Sequence, residues 1–325
     1  MLAATGLTGL LLGLAACMPL GVEEQPADIS LLEAHAGSDT LAFDPRNGNL
    51  LSGGWQGELN LWGAPDFRRI AGWQAHQGPV EGVAFAAGRM VSASRDGTIK
   101  VWGGPRDLLQ RLDTGHPITE MAAVDDVVLV GHTDGLVAAY SVEGLRPLWR
   151  QQAHEGWVAA VAIRPDAEQF ASAGADHRVI VYQRDGQMLR LPQAPGAPWS
   201  LVYSSDGTWL YGGGFPRLFR YRLSDRSLST VDTPHYGQIN GLAVLAAAKM
   251  PATSDQLVSI SRTHDSSVIV LDPADGHALA RYQRLRMCGN AVAVYRPAPG
   301  TLDAPAFLAA TGDAGNIRVW RLPGN

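Results

Sequence analysis

A chain of 325 residues with 46% apolar residues can bury an extended core, and 18% charged residues excludes a polar, unfolded polymer. The 26 basic residues against 31 acidic ones leave a formal net charge of −5, so no basic field is available for nucleic acid. Two cysteines, Cys17 and Cys288, cannot build a disulfide framework. Arginine supplies 24 of the basic residues and lysine two, which reads as coding bias and not as a phosphate-binding device.

The first 17 residues, MLAATGLTGLLLGLAAC, are apolar and end in Leu14-Ala15-Ala16-Cys17. Small residues before a cysteine, after an apolar run, are what cleavage with lipid attachment requires. The run resembles a bacterial lipoprotein signal, with Cys17 the lipidated residue, although no Lys or Arg precedes Arg46. Pro19 and four glycines within 22 residues argue against a spanning helix. The resemblance implies a cell-envelope protein, and Met18 after the cysteine points to the periplasmic side of the outer membrane. Residues 18–27, MPLGVEEQPA, then read as a polar tether reaching about 35 Å when extended.

From residue 28 onward the chain repeats. In the stretch SASRDGTIKVW, Asp96-Gly97 is a turn dipeptide, and Thr98 to Trp102 alternates as a half-buried strand does. The Trp102 position returns as Trp62, Tyr140, Tyr182, Tyr221, Leu271 and Trp320, at steps of 40, 38, 42, 39, 50 and 49 residues. Six residues earlier stands Asp96, Asp134, Asp176 or Asp265, replaced by Gln56 in the first unit and Phe215 in the fifth; in the last, Asp313 is one residue out of register. A histidine precedes most units: His35, His76, His116, His154 and His235. Each unit holds four strand-like runs, such as VEGVAFA, RMVSAS, TIKVW and LLQRL, with short Gly, Asp or Pro turns. One four-stranded sheet has too little core alone, whereas seven packed radially bury one another's faces.

These units resemble the WD-repeat β-propeller family over nearly the whole chain after residue 27. Only Gly115-His116 keeps the family's Gly-His pair, and no unit keeps an Asp after the Trp. The resemblance implies an all-β, seven-bladed propeller of four-stranded antiparallel blades over residues 28–325, with DISLLE (28–33) completing the last blade and closing the ring. It also implies a hydrogen-bonded chain inside each blade. The second blade would use His76, Ser92 or Ser94, Asp96 and Trp102. The fourth would use His154, Ser172, Asp176 and Tyr182, and the sixth His235, Ser261 and Asp265. Burying an aspartate requires such partners, because a lone desolvated carboxylate is very costly. The group is architectural, and the fifth unit, lacking both His and Asp, is expected to be the loosest match.

Five of nine histidines recur at blade period, and no HxH, HxxxH or CxxC spacing suggests a metal site. No phosphate cradle or haem motif is present, so no cofactor is expected and a catalytic role is not. What remains is a binding surface for a protein partner, on a propeller that is monomeric within a complex. In the family, partners dock on the face carrying the turns between second and third strands. Alignment places Trp55, Arg95 and His264 there, and Glu81, Trp157, Asn240 and Asn290 near the starts of the inner strands. Exposed Trp and Arg are typical interface anchors. The competing expectation is a lactonase-like or other hydrolytic propeller, which would gather carboxylates and histidines at the channel mouth.

Overall fold

Alternating apolar residues between Asp-Gly or Gly-containing turns form sheets, and the sheets form a ring. The computed structural model describes residues 22–215, 217–246, 255–262, 265–298 and 305–323; Cys17, the signal segment and His264 lie outside them. There are seven antiparallel blades and no helix among the described residues. The first is built from Ser38–Phe43, Leu50–Gly54, Glu58–Gly63 and Arg68–Gln74; the second from Val80–Ala86, Arg89–Ser94, Thr98–Gly104 and Asp107–Asp113. Later blades begin with the inner strands Ile118–Val124, Val158–Ile163, Ser200–Tyr203, Gln238–Leu245 and Gly289–Tyr295.

The core is divided among the blade interfaces. Leu51, Leu59 and Trp73 of the first blade pack on Val80, Met90 and Trp102 of the second. Leu129, Val137 and Trp149 of the third meet Phe170, Ile180 and Tyr182 of the fourth. An outer-strand aromatic repeatedly covers the next blade's terminal ring: Trp73 on Trp102 at 5.7 Å, Trp149 stacked on Tyr182 at 4.9 Å, and Tyr282 on Trp320 at 5.3 Å. The contact between blades five and six has the smallest fully buried set among the described residues: Tyr211, Leu218, Val231 and Leu257. On its other side the fifth blade packs fully, with Leu201, Tyr203, Leu210, Phe219 and Tyr221 in the core shared with blade four.

The turn glycines link blades in series. Gly57, Gly97 and Gly135 all have positive φ, and their carbonyls accept backbone N–H groups from the loop that enters the following blade. A Cβ at Gly57 or Gly135 would strike the carbonyl of His76 or His154, so both positive φ and close approach require glycine there.

The ring closes through the N-terminal strand. Ile29–Leu31 pairs antiparallel with Ile317–Leu322, Ile29 opposite Val319 and Leu31 opposite Ile317. Residues 24 and 25, expected above to lie in a polar tether, form a strand instead. Glu24–Gln25 adds a fifth, parallel strand to the outside of blade six, with Glu24 opposite Arg281 and Gln25 opposite Tyr282. The Gln283 N–H donates to the Gln25 carbonyl at 2.8 Å, and the Ala27 N–H donates to Gln283 Oε1 at 3.2 Å. An outer strand leaves an unpaired edge, and the entering chain covers it. Residues 24–31 therefore fasten blade six to blade seven.

Candidate functional site

Two sets of polar residues carry the chemistry: networks inside the blades, and a cavity where the inner strands begin. In blade four the His154 ring lies 3.0 Å from Asp176 Oδ1 through Nδ1 and 2.7 Å from Ser172 Oγ through Nε2. Tyr182 Oη is 2.7 Å from the same Ser172 oxygen, so the phenol takes the place of an indole. In blade two His76 Nε2 is 2.7 Å from Ser92 Oγ, and Trp102 Nε1–H donates to that oxygen at 3.0 Å. Ser92, not Ser94, is the relay; Ser94 Oγ–H donates to the Gly78 carbonyl. Asp96 stands 3.4 Å from His76 Nδ1 and accepts from the Thr98 hydroxyl, the Thr98 N–H and the Gln77 N–H.

Blade six corrects the expected serine. His235 Nδ1 is 2.7 Å from Asp265 Oδ2, but Nε2 meets Ser259 at 2.8 Å, not Ser261. Ser259 and Asp265 are six residues apart where Ser92 and Asp96 are four, so counting back from Leu271 lands two residues late. Blade one holds a residue the repeat logic missed. Glu58 Oε1 lies 2.7 Å from His35 Nδ1, with Ser52 on Nε2 at 2.7 Å and Trp62 Nε1–H on Ser52 at 2.9 Å. Gln56 stands at the turn, and the carboxylate comes from two residues further on.

Blade three shows the network undone. Val130 occupies the serine place, and His116 with Asp134, 3.0 Å apart, stays 48% and 40% exposed. Blade five has no such group; Tyr221 Oη–H donates to the Pro192 carbonyl.

Six inner strands slip by one residue near their start, a β-bulge that turns an extra side chain toward the ring axis. The bulged residues are Asp39, Glu81, Thr119, Ala159, Asn240 and Asn290. This register makes Asp39 the counterpart of Glu81 in blade one, and Ala159, not Trp157, its counterpart in blade four. Thr40 Oγ1 accepts the Val83 N–H at 2.9 Å. All seven blades line the resulting cavity of about 560 Å³, so it is the mouth of the central channel.

Trp55, Glu81, Arg95, Trp157, Asn240 and Asn290 all reach this mouth. Their situations differ. Trp55 is 37% exposed, lies over Gly37 and donates from Nε1 to Asp39 Oδ2 at 2.5 Å. Arg95 reaches Glu81 at 2.8 Å with its side chain 57% exposed. Trp157 touches Trp199, ring centroids 4.9 Å apart; Trp199 is the same position one blade on and escaped the sequence reading. Asn290 does not fit the docking set: it is only 5% exposed, and its amide donates to the Ser38 carbonyl and to Asp313. Asn240 Nδ2–H likewise reaches the Asn290 carbonyl, so both asparagines stitch neighbouring blades.

The mouth is acidic in an unusual way. Burial raises Asp39, pushes Glu81 up to about 7, and lifts Glu120 well above the usual carboxylate range, where Glu81 and Asp39 push it further. Glu120 opens into the cavity and has no side-chain hydrogen bond or ion pair among the described residues. These carboxylates do not converge as metal ligands. Among the described residues, the group whose ligand atoms gather within 4.8 Å is Asp272, Asp275 and His277, on the outer part of blade six. The opposite end of the channel is apolar, a cavity of about 500 Å³ lined by Val124, Ile163, Val202 and Val244 among others.

Residues 67–103 and 145–183 match the family model described as "WD domain, G-beta repeat". These two stretches contain the full networks of blades two and four. The chain is similar to Coronin-7 from Bos taurus, 26% identical over 156 residues, which is 40% of this chain and 16% of that protein. It is also similar to Telomerase protein component 1 from Mus musculus, 25% identical over 199 residues, and from Rattus norvegicus, 24% identical over 177. Those stretches cover 57% and 50% of this chain but 8% and 7% of the relatives. The chain thus matches a small part of each relative's length.

Proposed function

We propose that this chain, which belongs to the WD-repeat β-propellers, is a protein-binding scaffold or accessory subunit that docks its partner on the channel mouth. The observation that carries this reading is the gathering of Trp55, Arg95, Trp157 and Trp199, from blades one, two, four and five, around one open cavity. Indole and guanidinium groups left half in solvent are what an interface uses as anchors. The blade networks are occupied by architecture. The mouth carboxylates lack the histidines and the convergence of a hydrolytic or metal centre, so a binding role is favoured over an enzymatic one.

The setting proposed for this scaffold is the bacterial cell envelope, with lipid on Cys17 holding it at the membrane. The support is the apolar run ending in Leu14-Ala15-Ala16-Cys17. No described helix is long and apolar enough to cross a membrane. The test joins both parts. Gentle crosslinking and purification from membranes should recover a defined partner with the parent and lose it with Trp157→Ala, whose melting temperature stays close to the parent's. Equal recovery with both would move the interface elsewhere. Cys17→Ser should release the protein from the membrane fraction and abolish fatty-acid labelling; retained labelling would end the lipid-anchor reading.

A further inference from the structure

The mouth holds more carboxyl groups than it has cations to pair them. Asp39, Glu81, Glu120 and Asp313 face two arginines, Arg95 and Arg262. Arg95 reaches Glu81 at 2.8 Å, and Arg262 comes only to 4.0 Å from Asp313. Glu120 has no side-chain hydrogen bond or ion pair among the described residues, and its half-buried side chain opens into the channel. A carboxylate partly withdrawn from water and left without a partner costs the fold free energy, since nothing fully replaces the water it lost. The inner-strand position it occupies carries Thr40, Gly82, Ala160, Gly241 or Ala291 in the other bulged blades, so the ring geometry does not require an acid there.

Beside these carboxylates stand three indoles, of Trp55, Trp157 and Trp199. The face of an indole attracts a cation within about 6 Å of its centroid, most strongly when water is excluded. A cavity of about 560 Å³ lies within the range of roughly 300–1,000 Å³ typical of ligand sites. A small metal ion does not suit it, because the oxygen atoms do not converge. A phosphate or nucleic acid would meet the excess negative charge. An organic cation on a flexible stem meets both the carboxylates and the indoles.

Resting on the docking reading above, we infer that the channel mouth takes up a positively charged side chain, arginine or lysine, presented by the partner protein and held by Glu120, Glu81, Asp39 and the indoles of Trp55, Trp157 and Trp199. Arginine fits best, since a planar guanidinium can stack on an indole while bonding a carboxylate. Arg95 already pairs with Glu81, which leaves Glu120 as the principal acceptor; the entering cation favours its ionised form, and its proton passes to water.

The test uses the full chain, purified in detergent, and a capped five-residue peptide carrying one central arginine between glycines and serines. Calorimetric titration should give saturable binding, with lysine in the centre somewhat weaker and the uncharged isostere citrulline at least about tenfold weaker. Glu120→Gln and Trp157→Ala should each weaken the arginine peptide by about tenfold or more while the protein still melts cooperatively. Equal binding of the arginine and citrulline peptides, unchanged affinity in Glu120→Gln, or no saturable heat up to about 10 mM peptide would each overturn the inference. The docking reading is separable from it: a Trp157→Ala protein that loses its crosslinked partner while the parent ignores the arginine peptide keeps the face and rejects the cation.

Discussion

Asp96, Asp176 and Asp265 inside the blades and Asp39, Glu81 and Glu120 at the channel mouth are all carboxylates held largely out of water. The molecule treats them in opposite ways. Burial pushes each blade aspartate up, and hydrogen bonds more than offset it: His76, Thr98 and Gln77 hold Asp96 well below the usual range. Glu155, His154 and Arg178 do the same for Asp176, and His235 leads for Asp265. At the mouth burial wins, because Glu81 has one arginine and Glu120 has no hydrogen-bond or ion-pair partner among the described residues. The difference separates groups that stabilise the ring from groups that weaken it. Residues of the second kind are retained where something other than the fold uses them.

The largest effect is expected from breaking the first set. Asp176→Ala removes the acceptor for His154 Nδ1, for the Glu155 N–H and for the Arg178 N–H. His154 is then a buried imidazole with one unmade bond, while the Ser172–Tyr182 link stays in place. The cost should be about 3 kcal/mol in urea unfolding. A loss below about 1 kcal/mol would make the aspartate an ordinary turn residue.

The second effect has the opposite sign and depends on pH. Burial lowers His76 and His154 despite their aspartates, so the folded protein resists a proton that the unfolded chain accepts near pH 6.5. Stability from this source is present above about pH 6.5 and lost as pH falls below it. The depressed aspartates act similarly lower down: their contribution is present above about pH 4 and lost on further acidification. The raised mouth acids run the other way. The folded state takes their protons first, so their cost grows as pH rises from about 4.3 toward 7 and beyond. Glu120→Gln should therefore gain on the order of 1 kcal/mol over the parent at pH 8, with the gain fading to nothing near pH 4. Destabilisation at pH 8, or a difference independent of pH, would show that Glu120 is paired.

How much of this was legible depended on whether a residue kept the repeat's spacing. His76, Asp96, Trp102, His154, Asp176 and Tyr182 stand at fixed separations, so alignment alone placed them in the blades. Trp55 and Arg95 precede the turn position and were found the same way. Glu58 escaped because blade one draws its carboxylate from the strand after the turn. Ser259 escaped because blade six has two extra residues before Asp265. The β-bulges are set by pairing register, which no single strand's sequence displays, so Trp157 was aligned where Ala159 belongs. Glu120 was least visible of all, as it breaks the pattern of small residues at its position instead of repeating it. Departures from a repeat mark function as readily as decay, and only the assembled ring distinguishes them.

The smallest effect tests whether a His–Asp pair stabilises by being a pair or by being buried. Blade three keeps both residues, His116 and Asp134, at 3.0 Å, the same separation as His154 and Asp176. What it lacks is the serine beyond the ring, since Val130 stands there, and the seclusion: the two side chains are 48% and 40% exposed. Water can solvate either partner alone, so losing one leaves no unsatisfied group behind. Exposed pairs of this kind contribute about 0–1 kcal/mol. Asp134→Ala should accordingly change the unfolding free energy by less than about 0.5 kcal/mol, although the Leu136 N–H loses its acceptor in the turn. Two substitutions at equivalent places, Asp176→Ala and Asp134→Ala, would then differ severalfold in cost with the His–Asp distance held constant. Similar costs would mean that the turn geometry each aspartate imposes, not the burial of its histidine, is what the blade depends on.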